Sequence, residues 1–164
     1  MNTPVDKLFV KLHVDEQVGL SLRSIGRKDM EDLRQWKNAH RDFFFYKEIV
    51  DEAHQHLWFS DYLRRSHDFM FLVEIGGVGI GCMGVRWLDS HWDIYNVILG
   101  RSEFGHQGFM GKALKVMLLY ARSLKDEPIS LRVLKRNPAI QWYLKNYFII
   151  EDEHPEHLKL NYSE

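Results

Sequence analysis

Apolar and polar positions in the first part of the chain recur with two different periods. Phe9–Val14 and Leu20–Ile25 are predicted strands, and in the second of them apolar side chains occupy every other position. Asp29 precedes a stretch with helical spacing and is suited to cap a helix there. The predicted inward face of that helix holds Met30, Leu33 and Trp36. A second helix is predicted over Val50–Arg65, with Ala53, Leu57, Trp58 and Tyr62 turned inward.

A change of period in the middle of the chain predicts a meander of three antiparallel strands. The strands are predicted over Phe69–Ile75, Val78–Leu88 and Trp92–Leu99. The pair Gly76–Gly77 between the first two is suited to a two-residue hairpin turn. Three glycines in the second strand predict bulges or a close approach of another backbone, at Gly79, Gly81 and Gly84.

The rest of the chain is predicted to alternate helices with strands. A glycine-rich stretch leads into a long helix that ends near Leu124, with Leu114, Met117, Leu118 and Ala121 on its apolar face. Further elements are predicted as a strand over Pro128–Leu134, a helix over Ala139–Lys145, and strands over Tyr147–Ile150 and His157–Asn161. This order predicts an α+β (α/β) fold, as a single domain over residues 1–164 built around one mixed sheet.

Charge and composition exclude several classes of protein. With 22 Lys and Arg against 23 Asp and Glu, the formal net charge is −1, whereas binding to nucleic-acid phosphates normally requires a basic excess. No apolar run reaches the roughly 20 residues of a membrane-spanning helix, and Met1–Asp6 lacks the layout of a signal peptide. A single cysteine, Cys82, fits a reducing compartment. We therefore expect a cytoplasmic protein that binds neither nucleic acid nor a membrane.

No metal site is predicted. His54 and His56 are two positions apart on a predicted helix, so that their side chains point about 200° apart and cannot hold one ion. His154 and His157 have no cysteine or carboxylate partner at a known metal-binding spacing.

The stretch Gly105–Gly111 is typical of an anion-binding loop. A glycine-rich turn before a helix presents free backbone N–H groups and the positive end of the helix dipole at one place. Gly105, Gly108 and Gly111 are expected to let the backbone approach an anion closely, because none of them has a Cβ. A P-loop is excluded, because it needs glycine where His106 stands and Ser or Thr where Ala113 stands. The even spacing of the glycines also differs from the dinucleotide pattern G-x-G-x-x-G. A glycine-rich turn without a ligand is the alternative.

Two segments resemble the GCN5-related N-acetyltransferases (the GNAT superfamily). Gly105–Ala113 resembles the family's pyrophosphate loop, Gln/Arg-x-x-Gly-x-Gly/Ala: Gly108 matches, whereas Gly105 and Met110 depart from the pattern. Asn137–Phe148 resembles a segment in which the family has Asn, Ala, Tyr and Phe in this order, with Tyr147 at the usual glycine. The loop is most similar to the branch that includes ribosomal-protein and sugar-nucleotide N-acetyltransferases. The resemblance covers roughly residues 20–153, which leaves residues 1–19 as an N-terminal extension or an extra strand.

The resemblance implies a mixed, mostly antiparallel sheet flanked by helices, with a coenzyme site made by a strand, the glycine loop and a helix. Acetyl-coenzyme A would be the acyl donor. Backbone amides of the loop would hold its pyrophosphate, and backbone groups of the preceding strand would hold the pantetheine arm and polarise the carbonyl. The implied coenzyme-binding residues are Val97, Ile98, Leu99, His106, Gln107, Gly108, Phe109, Met110, Gly111 and Asn137.

The resemblance also implies two catalytic side chains. Tyr143 would be the general acid for the departing thiolate, and the alternative is a core aromatic residue at helical spacing from its neighbours. Asp93 would be the general base, because many family members carry Glu at about this place on the strand. His91 and Tyr95 lie on the same face of an ideal strand and are alternatives to it, as is an exposed carboxylate without a catalytic role.

The first two helices and the loop between them would bind the acceptor. Trp36, Asn38, Arg41 and Tyr95 are the implied contacts, although Trp36 could equally belong to the core. The function expected is transfer of an acetyl group to a primary amine of a small molecule, such as an amino sugar attached to a nucleotide. Acetylation of a protein N-terminus or lysine, a catalytically silent coenzyme A-binding domain and an unrelated α/β binding domain are the alternatives. The sequence leaves a homodimer open.

Overall fold

An eight-stranded sheet is the framework of the computed structural model, which describes residues 7–164. The strands follow the order β1-β2-β3-β4-β5-β6-β8-β7, and every neighbouring pair is antiparallel except β5 and β6. Met1–Asp6, on which the expectation of no signal peptide rests, lies outside the described residues. The strands are β1 Lys11–Asp15, β2 Leu20–Ser24, β3 Asp68–Ile75, β4 Val78–Trp87, β5 Trp92–Leu99, β6 Ile129–Leu134, β7 Phe148–Glu153 and β8 His157–Tyr162.

In the described part of the chain four α-helices cover the two faces of this sheet: α1 Met30–Ala39, α2 Glu52–Arg64, α3 Phe109–Leu124 and α4 Ile140–Lys145. Side chains of α1 and α2 form one buried cluster with alternate residues of β3 and β4, such as Met70 and Leu72. The intervening residues, such as Phe71 and Val73, face a larger cluster with α3 and α4. The mixed, mostly antiparallel sheet flanked by helices is thus confirmed.

The predicted elements are confirmed with small shifts at their ends. The hairpin turn lies at Gly76 and Gly77, which both have positive φ. A Cβ on Gly81 would collide with the carbonyl oxygen of Ile98, so this glycine marks the close approach of another backbone, as predicted, whereas Gly84 makes room for the Tyr95 ring. The predicted apolar face of the long helix is buried, at Leu114, Met117, Leu118 and Ala121.

The predicted inward face of α2 is partly wrong. Leu57 is 66% exposed and Ala53 is exposed as well, whereas the buried residues are Gln55, Phe59 and Tyr62. The hydroxyl of Tyr62 accepts a hydrogen bond from the backbone N–H of Met70 at 2.9 Å. This bond fixes how α2 is rotated about its own axis relative to β3, and in that orientation Leu57 lies at the surface.

Tyr147, between α4 and β7, occupies a backbone conformation that favours glycine. Its φ is +70°, and Ser163 holds its carbonyl oxygen with the backbone N–H and the hydroxyl, at 2.8 and 2.6 Å. The side chain is 54% exposed. Since a left-handed residue with a Cβ costs about 1–2 kcal/mol and glycine has a smaller entropic cost of its own, Tyr147→Gly should raise the free energy of unfolding by about 1 kcal/mol.

Urea unfolding measures this change directly. Tyr147→Ala is the matched control, because it removes the same ring but keeps the Cβ and therefore the strain. A stability gain in the alanine variant equal to that of the glycine variant would assign the effect to the ring and not to the backbone.

Candidate active site

A cleft opens between β5 and β6. The two strands pair only at Trp92 with Ile129 and at Asp93 with Ser130, and then part, although β5 continues to Leu99. The cleft leads into a cavity of about 600 Å³. Such a gap exposes unpaired backbone donors and acceptors of both strands to whatever occupies it.

A bulge in β5 lies beside the cleft. Tyr95 pairs with Gly84 and Ile98 with Cys82, so that two residues of β5 face one of β4. The first of the two, Asn96, has φ +50°. The bulge turns Asn96 and Val97 into the cavity and places Ile98 on a neighbouring one.

The loop after β5 presents a row of free backbone donors. Within the described residues, the N–H groups from His106 to Gly111 form no hydrogen bond to backbone, and no side chain caps α3. The first turn of this 16-residue helix carries no acidic residue. Free donors at the positive end of a helix dipole form an anion-binding arrangement, and the loop lies at the end of β5 where the cleft is open.

The three glycines of the loop have different roles. Gly108 has φ +78° and open space where a Cβ would stand, so it lets an anion approach. A Cβ on Gly111 would lie 2.9 Å from the Asn146 side chain, and one on Gly105 would lie 3.1 Å from the carbonyl oxygen of Ser102. These two glycines serve packing within the protein, which corrects the expectation that all three open the loop to a ligand.

The other predicted coenzyme residues are divided among several environments. His106 and Gln107 are exposed, and Gln107 donates to the carbonyl oxygen of Glu103 at 3.1 Å. Phe109 and Met110 pack against the larger core cluster. Leu99 pairs with Gly81 and lines neither cavity.

A strap over the cavity is formed by Phe43–Tyr46, in the connection between α1 and α2. All four of its residues line the cavity. The Phe45 ring lies edge-on to His157 of β8, with 5.5 Å between the ring centroids. The side-chain amide of Asn137 donates to the carbonyl oxygen of Phe43 at 3.4 Å, while its oxygen accepts from the N–H of Ala139 at 2.9 Å. Asn137 therefore joins the strap to the start of α4.

Tyr143 reaches the cavity from α4. Its ring is buried against Trp142 and Phe148, and the residue lines the cavity. Among the described residues its hydroxyl has no hydrogen-bond partner. Burial raises the pKa of this phenol, so it is protonated at neutral pH but is a weaker acid than a solvated phenol, which favours a hydrogen bond to a thiolate over complete proton transfer.

Asp93 lines the same cavity from β5. Its carboxylate accepts a hydrogen bond from Nε of Arg86 at 3.0 Å. Burial raises the pKa of Asp93, and the charge of Arg86 opposes that rise. A carboxylate with a raised pKa is a better proton acceptor than a solvated one.

The acceptor residues predicted from the sequence are mostly held elsewhere. Trp36 is 8% exposed and packs flat against Gly100. The side-chain amide of Asn38 donates to the carbonyl oxygen of Val50 at 2.9 Å, and its oxygen accepts from the N–H of Val50 at 2.8 Å. Arg41 donates to the carbonyl oxygen of Asn38 at 3.2 Å. None of these three lines the cavity beside the cleft or the one that adjoins it. Of the four, only Tyr95 does, and its hydroxyl donates to Asp68.

Lys37 lies in the stretch from Trp36 to Asn38 that the sequence places in the acceptor region, but no contact was predicted for its side chain. Its Nζ donates to Oδ1 of Asn96 at 2.6 Å and lies 3.5 Å from the centre of the Phe44 ring. No carboxylate within the described residues pairs with it, and burial lowers its pKa to about 8. Its position beside Trp36 and Asn38 was the only sequence signal.

A second cavity of about 310 Å³ adjoins the first under α1 and α2. The two cavities share four lining residues, Lys37, Tyr46, Trp58 and Asn96. Cys82 lines the second cavity, and burial raises the pKa of its thiol to about 12, so this cysteine is not a nucleophile at neutral pH.

Residues 7–164 contain no cluster of three side chains that could hold a metal ion. In the same part of the chain no helix is long and apolar enough to cross a membrane.

The family model for the acetyltransferase (GNAT) domain matches residues 20–146, well over half of the chain. The chain therefore belongs to this family and is an acyltransferase of the N-acetyltransferase type. A search of curated proteins finds no match.

Solved structures of N-acetyltransferases share the fold. RimL, the ribosomal L7/L12 alpha-N-protein acetyltransferase in complex with coenzyme A, superposes with a TM-score of 0.76 at 13% identity, covering 93% of this chain and 96% of its own. Spermidine N-acetyltransferase from Vibrio cholerae, in complex with coenzyme A and spermine, superposes with a TM-score of 0.70 at 18% identity, covering 87% of this chain and 92% of its own. The PaiA N-acetyltransferase from Thermoplasma acidophilum, in complex with coenzyme A, superposes with a TM-score of 0.68 at 16% identity, covering 88% of this chain and 99% of its own.

Proposed function

We propose that the protein transfers the acetyl group of acetyl-coenzyme A to a primary amine of a small molecule, by direct attack in a ternary complex. The observation that carries this proposal is the row of free N–H groups at His106–Gly111, at the open end of the cleft between β5 and β6. The loop suits a pyrophosphate and the cleft suits an extended amide-bearing arm, which together are the two ends of coenzyme A. Three of the solved relatives hold this coenzyme.

The reaction needs an amine nitrogen that attacks the thioester carbonyl while the carbon–sulfur bond breaks. In this proposal Asp93 takes the proton of the attacking amine, directly or through water, because its carboxylate faces the cavity and its pKa is raised. Tyr143 gives a proton or a strong hydrogen bond to the departing thiolate from the opposite side of the cleft. Backbone groups near the β5 bulge polarise the carbonyl.

A small acceptor is favoured over a protein by the strap. Phe43–Tyr46 lines the cavity, and the contact of Phe45 with His157 joins this strap to β8, so that the strap bounds the cavity on one side and narrows the way in for an extended polypeptide. Solved relatives act on or bind quite different amines, from a ribosomal protein to spermine, so the acceptor has to be argued from this cavity.

Calorimetric titration with acetyl-coenzyme A, followed by measurement of thiol release with a panel of amines, tests the proposal. We expect binding in the micromolar range and amine-dependent release of coenzyme A. No heat and no thermal stabilisation at millimolar acetyl-coenzyme A would contradict it. Turnover only with protein N-termini or lysines would retain the transferase and reject the small acceptor.

The acid limb of the pH profile gives a test of Asp93. The base is active when ionised, so the rate falls as the pH drops through its pKa. Burial raises this pKa and Arg86 lowers it, so Arg86→Gln should move the acid limb of kcat to higher pH. The measurement is kcat against pH for both proteins, with Arg34→Gln as control, because Arg34 pairs with exposed Glu31. An unmoved limb in Arg86→Gln would exclude Asp93 as the base.

A further inference from the structure

The floor of the larger cavity is a polar face of the sheet. Paired residues on neighbouring strands project to the same side, as do alternate residues of one strand. The pairs Arg86 with Asp93, Asp93 with Ser130 and Arg132 with Lys159 therefore share one side. It is the side of α1 and α2, because Asp68 pairs with Arg86 and Met70, two residues on, packs against those helices.

This floor and its surroundings are rich in positive charge. Four lining residues are cationic, Lys37, Arg86, Arg132 and Lys159, against the single carboxylate of Asp93. Arg86 is neutralised by Asp93 at 3.0 Å, and Lys159 is neutralised by Glu151 at 3.0 Å. Among the described residues no carboxylate pairs with Lys37 or Arg132. The cavity is thus positive in a chain whose net charge is −1.

These charges are placed for the acceptor and not for the coenzyme phosphates. The free N–H groups of His106–Gly111 begin α3, which packs on the other face of the sheet. Lys37 belongs to α1, and Arg132 projects from β6 on the side of the sheet that α1 and α2 cover. Lys112, the first lysine of α3, is bound to Asp15 at 3.0 Å.

Resting on the proposed function, we propose that the acceptor is a small amine that also carries an anionic group, a carboxylate or a phosphate, which Lys37 and Arg132 bind. The strap supplies apolar contacts above, and the two cations supply charge at the floor and side of the cavity. Polyamines and other amines with a second positive charge are disfavoured in this cavity, because like charges in a partly desolvated site repel.

Lys37 has a consequence for the reacting amine as well. A cation beside the acceptor lowers the pKa of an ammonium group, which increases the fraction present as the nucleophilic free amine. Burial lowers the pKa of Lys37 to about 8, and pairing with the acceptor's anion would return that pKa toward its ordinary value. The same residue thus selects the anion and favours the reactive form of the amine.

Matched amines test this inference on the full chain. We compare kcat/KM for O-phosphoethanolamine with ethanolamine, and for γ-aminobutyrate with butylamine, with spermidine as the cationic amine. Because the two amines of each pair differ by one unit charge in a partly screened site, we expect kcat/KM to be about tenfold or more higher for the anionic amine. Calorimetric binding of the same amines to the protein saturated with coenzyme A measures the preference without turnover.

The variants Lys37→Gln and Arg132→Gln should each reduce this ratio severalfold while leaving the affinity for acetyl-coenzyme A unchanged. Lys115→Gln, at an exposed position of α3, is the matched control and should keep the ratio. Equal values for anionic and neutral amines, a preference for spermidine, or no binding of any anionic amine would overturn the inference. In those cases bound acetyl-coenzyme A would leave the proposed function standing, whereas loss of coenzyme binding itself would reject both.

Discussion

Replacing Gly108 with valine is expected to lower the affinity for acetyl-coenzyme A by more than about 100-fold, because at least two charge-assisted hydrogen bonds of about 1.5–3 kcal/mol each would be lost. Gly108 has φ +78° at the start of α3, a conformation that a β-branched residue avoids. The peptide must turn to accommodate valine, and the N–H groups on either side then no longer converge. The new side chain would also fill the open space above the loop.

A second glycine separates this effect from simple backbone strain. Gly77, in the hairpin between β3 and β4, has φ +82° and likewise has open space where a Cβ would stand. Gly77→Val should therefore lose about as much stability as Gly108→Val and keep the wild-type affinity. Calorimetric titration of both variants, after thermal unfolding has shown each to be folded at the working temperature, makes the comparison. Unchanged affinity in Gly108→Val would remove the loop from the coenzyme site.

Tyr143→Phe is the variant with the second largest expected effect. General acid catalysis contributes about 10²–10⁴-fold, so kcat should fall by about 100-fold or more if this phenol supplies the proton. The affinity for acetyl-coenzyme A should not change, because an acid that acts on the departing thiolate is engaged only in the transition state. Stability should also be unchanged, since the phenylalanine ring retains its contacts with Trp142 and Phe148 and the hydroxyl has no hydrogen bond to lose among the described residues.

Tyr120→Phe is the control for this variant. Tyr120 is a tyrosine of α3 that packs against Phe69 and Phe71 and lies outside both cavities. Steady-state kinetics and calorimetry on the two variants should show a loss of kcat in Tyr143→Phe alone. Equal kcat in Tyr143→Phe and wild type would exclude Tyr143 as the acid and leave it a core aromatic residue.

The elements that could be predicted from the sequence are those whose signal is local. The apolar stripe of α3 and the glycine pair of the β3–β4 turn each fall within one short segment. The rotation of α2 could not be predicted, because it depends on a hydrogen bond between Tyr62 and the backbone of β3. Likewise the place of β8 between β6 and β7 depends on long-range pairing.

Part of the candidate site was beyond sequence reasoning for the same reason. A lysine at the end of an amphipathic helix is typical of a solvated face, and Lys37 is placed in the cavity only by Asn96, 59 residues further along, and by the strap above it. Conversely, Asn38 and Arg41 are polar residues near the acceptor region, but their hydrogen bonds hold the chain locally. Polarity alone does not distinguish a residue that contacts a ligand from one that stabilises the local structure.

Helix α1 touches both halves of the site with two consecutive residues. Trp36 lies flat on Gly100, where β5 ends and the glycine-rich loop begins, and Lys37 reaches the β5 bulge through Asn96. Movement of α1 on binding an acceptor would therefore be transmitted to Gly100, at the start of the loop. Binding of the two substrates should be linked thermodynamically, and by reciprocity each would change the affinity of the other by the same factor. Coupling between the two substrates would then need no separate regulatory part.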